Sequence, residues 1–206
     1  MSEGDFFSDE AKRGAAEAVR KAEAHTSAEV VVAVRKRSGS YGVLAYHFGL
    51  GVAAAVVTYL LVVPAVYSVG AIVLDGALGF LLGALLAANS DTLLRALSRK
   101  QTLQSQVGIA ARATFFDLGI SRTSGRNGVL IYVSLFERRC VVLPDIGIRP
   151  ALHEPGWSAS LGQLEEAVKR RDLLGFGQAI QGLGPTLGQA HPRRADDVNE
   201  LPDEVQ

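Results

Sequence analysis

Glu29, Asn127 and Asp145, together with Arg122 and Arg126, are the side chains in this sequence best suited to chemistry. Two carboxylates and a carboxamide are hard oxygen donors of the kind that hold Ca²⁺ or Mg²⁺. The two guanidiniums stand in Ser121-Arg122-Thr123-Ser124-Gly125-Arg126-Asn127, a polar run rich in turn formers, where they can hold a phosphate oxygen. The same residues have a structural reading as well, in which Arg126 and Asp145 close as an ion pair between neighbouring strand ends. Catalysis has less support. Phosphoryl transfer needs a nucleophile or an activated water plus charge neutralisation, and the chain has no Asp-x-Asp, Cys-x5-Arg or zinc-ligand motif. Asp117 and Asp145 are single carboxylates in separate loops, so no residue is assigned as catalytic.

The elements that must position these residues can be read along the chain. Residues 8–25 have helical pattern: Ser8 is a cap, Asp9 and Glu10 suit the positive end of the dipole, and Ala11, Ala15, Val19 and Ala22 form a narrow apolar stripe. Thr26 and Ser27 break it, and Glu29-Val30-Val31-Val32-Ala33-Val34 reads as a strand covered on both faces. Residues 91–118 read as one helix, stopped by Gly119. Two strands follow at 128–134 and 138–143, so closely spaced that they must form an antiparallel hairpin. Pro144-Asp145-Ile146-Gly147-Ile148 leads into a connection carrying Trp157, then two amphipathic helices at 158–171 and 174–189 and an acidic tail from 191 to 206.

Between the first strand and the rest lies the most apolar part of the chain. Residues 43–88 carry Asp75 as their only charged side chain, and they divide into two bilayer-crossing lengths at about 44–63 and 69–88. Pro64, Tyr67, Ser68 and Gly70 mark a turn without charge. Arg35, Lys36 and Arg37 precede the hairpin and Arg95, Arg99 and Lys100 follow it, so the positive-inside rule puts both termini in the cytoplasm and the chain in the inner membrane as a multi-pass protein. The acidic start, Met1-Ser2-Glu3-Gly4-Asp5, has no apolar core and does not read as a cleavable signal. Asp75 is placed near the far interface, neutral or beside Tyr67, with an ion path as the other reading, while His47 sits at the near interface. Gly79 and Gly83 form a small-residue face expected to meet Gly51 and Ala55, and this glycine-rich hairpin is also the expected seat of any homo-oligomer.

A strand on each side of one crossover is expected to be parallel, which makes the hairpin an insertion within a single α/β domain. The organisation is therefore 1–37 as first helix and strand, 38–90 as inserted hairpin, 91–190 as the remainder of the domain and 191–206 as tail. Thr26, Ser27, Glu29, Arg126, Asn127 and Asp145 should then meet at the edge opposite the strand end from which the hairpin leaves. Composition narrows the function: a formal net charge of zero removes the bulk electrostatic argument for nucleic acid, and one cysteine, Cys140, excludes an intrachain disulfide and suits a reducing compartment. Gly49-Leu50-Gly51-Val52-Ala53-Ala54 matches a dinucleotide fingerprint with Asp75 about 20 residues on, but the pattern lies inside an apolar span and no second strand precedes Asp75, so it reads as helix packing.

Glu23-Ala24-His25-Thr26-Ser27-Ala28-Glu29-Val30-Val31-Val32, Arg122-Thr123, Arg126-Asn127-Gly128-Val129-Leu130-Ile131-Tyr132-Val133, Glu137-Arg138-Arg139 and Pro144-Asp145-Ile146-Gly147-Ile148 together resemble the TPM domain family. That family is named after a thylakoid lumen protein, a photosystem II repair protein and a modulator of a levamisole receptor. Trp157 and the tail from Asn199 to Val205 resemble a bacterial membrane-protein branch of it. The resemblance implies an α/β/α sandwich with a small mixed sheet and, for some relatives, acid phosphatase activity or divalent-cation binding. It departs from the better-known members in having its anchor inside the domain and in its cytoplasmic orientation. The expected function is a non-enzymatic binding or assembly module for a membrane-protein partner, with Ca²⁺ or Mg²⁺ as the only cofactor implied. A membrane-tethered acid phosphatase or metal-dependent phosphohydrolase is the alternative.

Overall fold

The computed structural model describes residues 6–193, 200, 201 and 205. The N-terminal residues 1–5 and the positions 194–199, 202–204 and 206 of the acidic tail lie outside the described residues. The chain divides into two compact units, Met1–Ser38 with Gln104–Gln206, and Gly39–Leu103.

In the first unit, α1 (Asp9–Glu23) starts at Ser8, whose hydroxyl accepts the Ala11 N–H at 3.1 Å. Its Ala15, Ala18, Val19 and Ala22 turn inward. β1 (Glu29–Arg35) is buried on both faces, as its valine run requires. β2 (Gly128–Ser134) pairs with it in parallel from Glu29↔Gly128 to Arg35↔Ser134, and β3 (Arg139–Pro144) pairs with β2 antiparallel from Val129↔Pro144 to Ser134↔Arg139. The result is a three-stranded mixed sheet in the order β1-β2-β3. β3 begins one residue later than expected because Arg138, at φ 52°, takes a left-handed conformation to close the turn.

Alternation along the strands sends side chains to two cores. Val30, Val32, Val34, Val129, Ile131 and Val133 join α1, α6 (Pro155–Arg170) and α7 (Leu173–Ala190). Val31, Ala33, Leu130 and Tyr132 pack instead against Val107, Ala111 and Phe115 of α5 (Lys100–Asp117). Helices thus cover both faces of the sheet. α6 starts earlier than the sequence suggests because Pro155 supplies a preset first turn, so Trp157 lies inside the helix, not in the connection. A run of 3-10 helix over Ile146–His153 fills that connection.

The helix expected over 91–118 is two. α4 (Asp91–Leu97) is a new start, with the Ser90 hydroxyl accepting the Leu93 N–H at 3.2 Å, and it stops at Ser98, whose hydroxyl donates to Leu94 O at 2.7 Å while its backbone turns extended. Serine competes for backbone groups in this way, and apolar spacing alone does not register it.

The second unit is dominated by α2 (Gly42–Val62) and α3 (Val69–Ala88), with mean hydropathy 1.7 and 2.2. Both are long and apolar enough to cross a membrane, and little of either is buried. Ser68 caps α3 through the Ala71 N–H. The helices meet through the glycine face of α3, but not at Gly51 and Ala55 as expected. A methyl on Gly83 would fall 2.8 Å from Val52 Cγ2, and one on Gly49 would fall 2.7 Å from Phe80 O, whereas Gly51 has nothing within 4 Å. One residue is 100° of rotation on a helix, so choosing Gly51 over Gly49 chose the wrong side. Asp75 lies in the second turn of α3, half-buried, with no hydrogen bond to Tyr67 among the described residues.

Where the chain leaves β1, a buried polar clasp holds it to β2. Glu137 accepts the Ser38 N–H at 3.0 Å through one carboxylate oxygen and the Ser134 hydroxyl through the other. Ser38 Oγ also donates to Ser134 Oγ at 2.7 Å and lies 2.9 Å from the Tyr132 hydroxyl. Glu137→Ala leaves the half-buried Ser38 amide and the buried Ser134 hydroxyl without this acceptor, and an orphaned buried group costs about 1–3 kcal/mol. Chemical denaturation should show a loss of that order, and hydrogen exchange at the Ser38 amide should accelerate. Unchanged exchange would show that the clasp does not hold.

Candidate functional site

The polar edge forms where β1 and β2 both begin. Parallel pairing aligns Glu29 with Gly128, so residues just before each strand become neighbours. The Glu29 N–H donates to Asn127 O at 3.2 Å, and the Asn127 carboxamide donates to Ser27 O. The Asn127 N–H is held by Thr123 Oγ1 at 3.2 Å, and its Oδ1 is buried without a hydrogen-bond partner among the described residues. Asp145 enters from the far end of β3, its N–H donating to Gly128 O at 2.8 Å.

Arg126 and Asp145 are joined twice. Nε donates to Oδ2 at 2.7 Å and the terminal nitrogen to Oδ1 at 2.9 Å, in the planar fork geometry that suits a carboxylate. Asp145 Oδ1 also caps the following 3-10 turn by accepting the Ile146 N–H at 2.7 Å. Arg126 reaches this geometry with a left-handed backbone, φ 50°, and its carbonyl accepts the Gly147 N–H at 2.9 Å. Only glycine permits that approach: a methyl on Gly147 would lie 2.5 Å from Arg126 O and 2.7 Å from Gly125 O. The Arg126 guanidinium, followed by the Ile146 amide, holds the Asp145 carboxyl below the usual carboxylate range against the opposing effect of burial.

Glu29 is buried and faces the tail, not Asp145. Its carboxylate accepts the Glu200 N–H at 3.3 Å and the Leu201 N–H at 3.4 Å. Glu200 in turn accepts the Ser124 N–H at 2.9 Å and the Ser124 hydroxyl at 2.6 Å, and these bonds lower its carboxyl below the ordinary value. Leu201 packs, half-buried, against the core cluster that contains Val31 and Phe115. The base of the tail is pinned beside this edge. His191 O accepts from the Ser27 N–H at 3.1 Å and from the Thr26 hydroxyl at 2.7 Å, while His191 Nε2 lies 2.6 Å from Gly147 O. A carbonyl only accepts, so Nε2 carries the proton.

The edge therefore gathers Thr26, Ser27, Glu29, Arg126, Asn127 and Asp145. Arg122 is exposed, and its guanidinium makes no hydrogen bond or ion pair among the described residues. Residue types alone did not reveal Ser124, His191, Gly147 or Glu200 as parts of the site. The one sequence signal for the last was an apolar residue, Leu201, inside an acidic tail.

Two chemical consequences follow. Ca²⁺ takes six to eight oxygens. Here both Asp145 oxygens are committed to Arg126 and Ile146, and Glu29 faces backbone amides. Among the described residues no three His, Cys, Asp or Glu side chains gather as a metal set, so Glu29, Asn127 and Asp145 fit a divalent cation poorly in this arrangement. Nor is there an activated thiol: burial, with the Glu165 charge a smaller cause, pushes Cys140 up to about 12, so it stays protonated.

The first unit is a helix-rich α/β fold built on a small mixed sheet. Among solved structures, the NMR structure of BA42 protein from the psychrophilic bacterium Bizionia argentinensis is similar over 99% of this chain and 97% of its own, with 19% identity and a TM-score of 0.59. At that identity the likeness shows the fold alone. No family model matches the chain, and no curated relative matches it.

Because the folded value of Asp145 is lowered, its stabilisation is complete above the unfolded value of about 4 and is lost as pH falls through the folded value. Asp145→Asn should therefore lower stability at neutral pH and flatten the acid limb of a circular-dichroism unfolding profile. An acid limb identical to that of the parent chain would show that the pair contributes nothing.

Proposed function

We propose that the α/β unit is a protein-binding module carried by a membrane-spanning hairpin, and that the polar edge is its ligand surface. The observation that carries this reading is the tail. The edge already holds a peptide segment, Glu200-Leu201, through backbone amides, a side-chain carboxylate and an apolar contact. A site that engages a peptide segment by its main-chain groups is chemically a protein-recognition site.

The membrane reading rests on α2 and α3. A helix of such hydropathy in the core of a soluble protein is mostly buried, yet here Leu50 is 62% exposed, Leu61 68%, Leu74 60% and Leu86 65%. The basic residues on both sides of the hairpin favour cytoplasmic termini in an inner membrane. Membership of the TPM family and an α/β/α sandwich interrupted by the hairpin belong to the same proposal, supported by the quoted motifs and the helices on both faces of the sheet. The partner is then another membrane protein.

A phosphohydrolase at this edge would need Asp145 free for a metal or a nucleophilic role, and its ion pair with Arg126 argues against that. The two readings separate in one set of measurements on the full chain. A photo-crosslinking amino acid placed at Ser124 in cells should join the chain to a second membrane protein, while the same group at Lys12 should not. Turnover of a phosphomonoester by the purified chain, abolished by Asp145→Asn, would overturn the binding reading. Recovery of the chain in the supernatant after an alkaline membrane wash would overturn the anchor.

A further inference from the structure

We infer that the C-terminal segment is a releasable ligand held in cis, and that the polar edge recognises peptides in which a glutamate is followed directly by leucine. This rests on the protein-binding reading above and names its ligand class. Three features of the edge select for such a peptide. Ser124 directs both its N–H and its hydroxyl at one carboxylate, at 2.9 and 2.6 Å, a donor pair that suits an anion and offers a neutral side chain much less. Glu29 accepts two successive backbone amides, those of Glu200 and Leu201, so proline is excluded at both positions and the segment must pass in one direction. The cluster of Val31, Ala33, Phe115 and Ile120 receives the leucine, where a polar side chain would lose the apolar contact.

The occupant is built to leave. Glu200 is exposed, its contacts are open to solvent, and the amide bonds to Glu29 are long at 3.3 and 3.4 Å. Hydrogen bonds in such settings open locally at little cost. The segment is also tethered: α7 is pinned at His191 by Ser27, Thr26 and Gly147, so a short stretch, residues 194–199, connects the anchor to the ligand. A ligand joined through so few residues has an effective concentration in the millimolar range, so a free peptide at about 0.1 mM competes poorly while the tail is in place. A partner's segment gains the site when it is itself concentrated at the membrane or when the tail is drawn away. Val205, the last described residue, packs at the rim of an apolar groove of about 810 Å³ with Phe6, Val34, Leu173 and Phe176, which gives the tail a second hold.

The test uses the full chain in detergent micelles, a variant ending after Arg193, and a synthetic peptide of residues 196–206. The truncated chain should bind the peptide, with amide shifts at Ser124 and Gly125. The full chain should bind it about ten-fold or more weakly, and a peptide carrying Glu200→Ala should lose about ten-fold or more on the truncated chain. Should truncation prevent folding, Glu200→Lys in the full chain opens the site without removing the tail and should restore peptide binding. Absence of peptide binding to both variants overturns the inference, as does equal binding of the Glu200→Ala peptide. Either failure leaves the crosslinking result from Ser124 standing on its own, so the ligand class and the binding reading fail separately.

Discussion

Parallel pairing of β1 with β2 is the constraint on which the rest depends. These strands are neighbours in the sheet although the second compact unit, Gly39–Leu103, lies between them in sequence. Closing so long a loop costs entropy that rises only slowly with length, so inserting a hairpin adds little beyond an ordinary crossover. What it requires is a firm seam. Six buried valines and isoleucines on one face, and a second cluster on the other, hold the two strands together. The clasp of Ser38, Ser134 and Glu137 closes the seam where the chain departs, and Arg37 lies 4.3 Å over the Phe136 ring beside it.

The same pairing creates the polar edge. In a parallel pair both strands start on one side, so the loops before them converge there and their polar groups must find partners. Asp145 satisfies a backbone amide and a guanidinium, Asn127 bridges to Ser27, and Thr26 and Ser27 take His191 O. The site is thus assembled largely from groups that complete the fold, which is why Asp145 is poorly placed to act as a free ligand. Glu29 differs: it is buried, and its carboxylate accepts the backbone amides of a tail segment.

Much of this was legible in the residues and some was not. Val30-Val31-Val32-Ala33-Val34 and Gly128 to Ser134 declare strands by β-branched content, and the parallel rule then places their starting residues together. Period alone did not show the break at Ser98, because a serine that returns its hydroxyl to Leu94 O leaves the apolar spacing intact. Nor did it distinguish Gly49 from Gly51, since two helices apolar all round carry no polar face to fix their rotation. The tail was hardest to read. Its composition is that of a solvated terminus, and what docks it is the Glu200 carboxylate on Ser124, Leu201, and the backbone amides of both residues, a combination that composition does not weigh.

The outer edge of β1 bears on why the proposed recognition falls at the strand's start and not along its length. The Glu29 N–H donates to Asn127 O, which sets the phase of the ladder: Glu29, Val31, Ala33 and Arg35 turn their backbone groups toward β2, and Val30, Val32 and Val34 turn theirs outward. An outward row of that kind invites strand addition. Here its two ends are covered from within the unit, since the Val30 N–H donates to Glu23 Oε1 at 2.8 Å and Val34 O accepts from the Arg35 guanidinium at 3.3 Å. An incoming strand would have to displace a carboxylate and a guanidinium to gain ladder bonds, leaving charge beside buried valines. The Glu200-Leu201 segment lies instead beyond the ladder, on the Glu29 carboxylate and the Ser124 donors, so the proposed recognition there leaves the sheet closed to further strands.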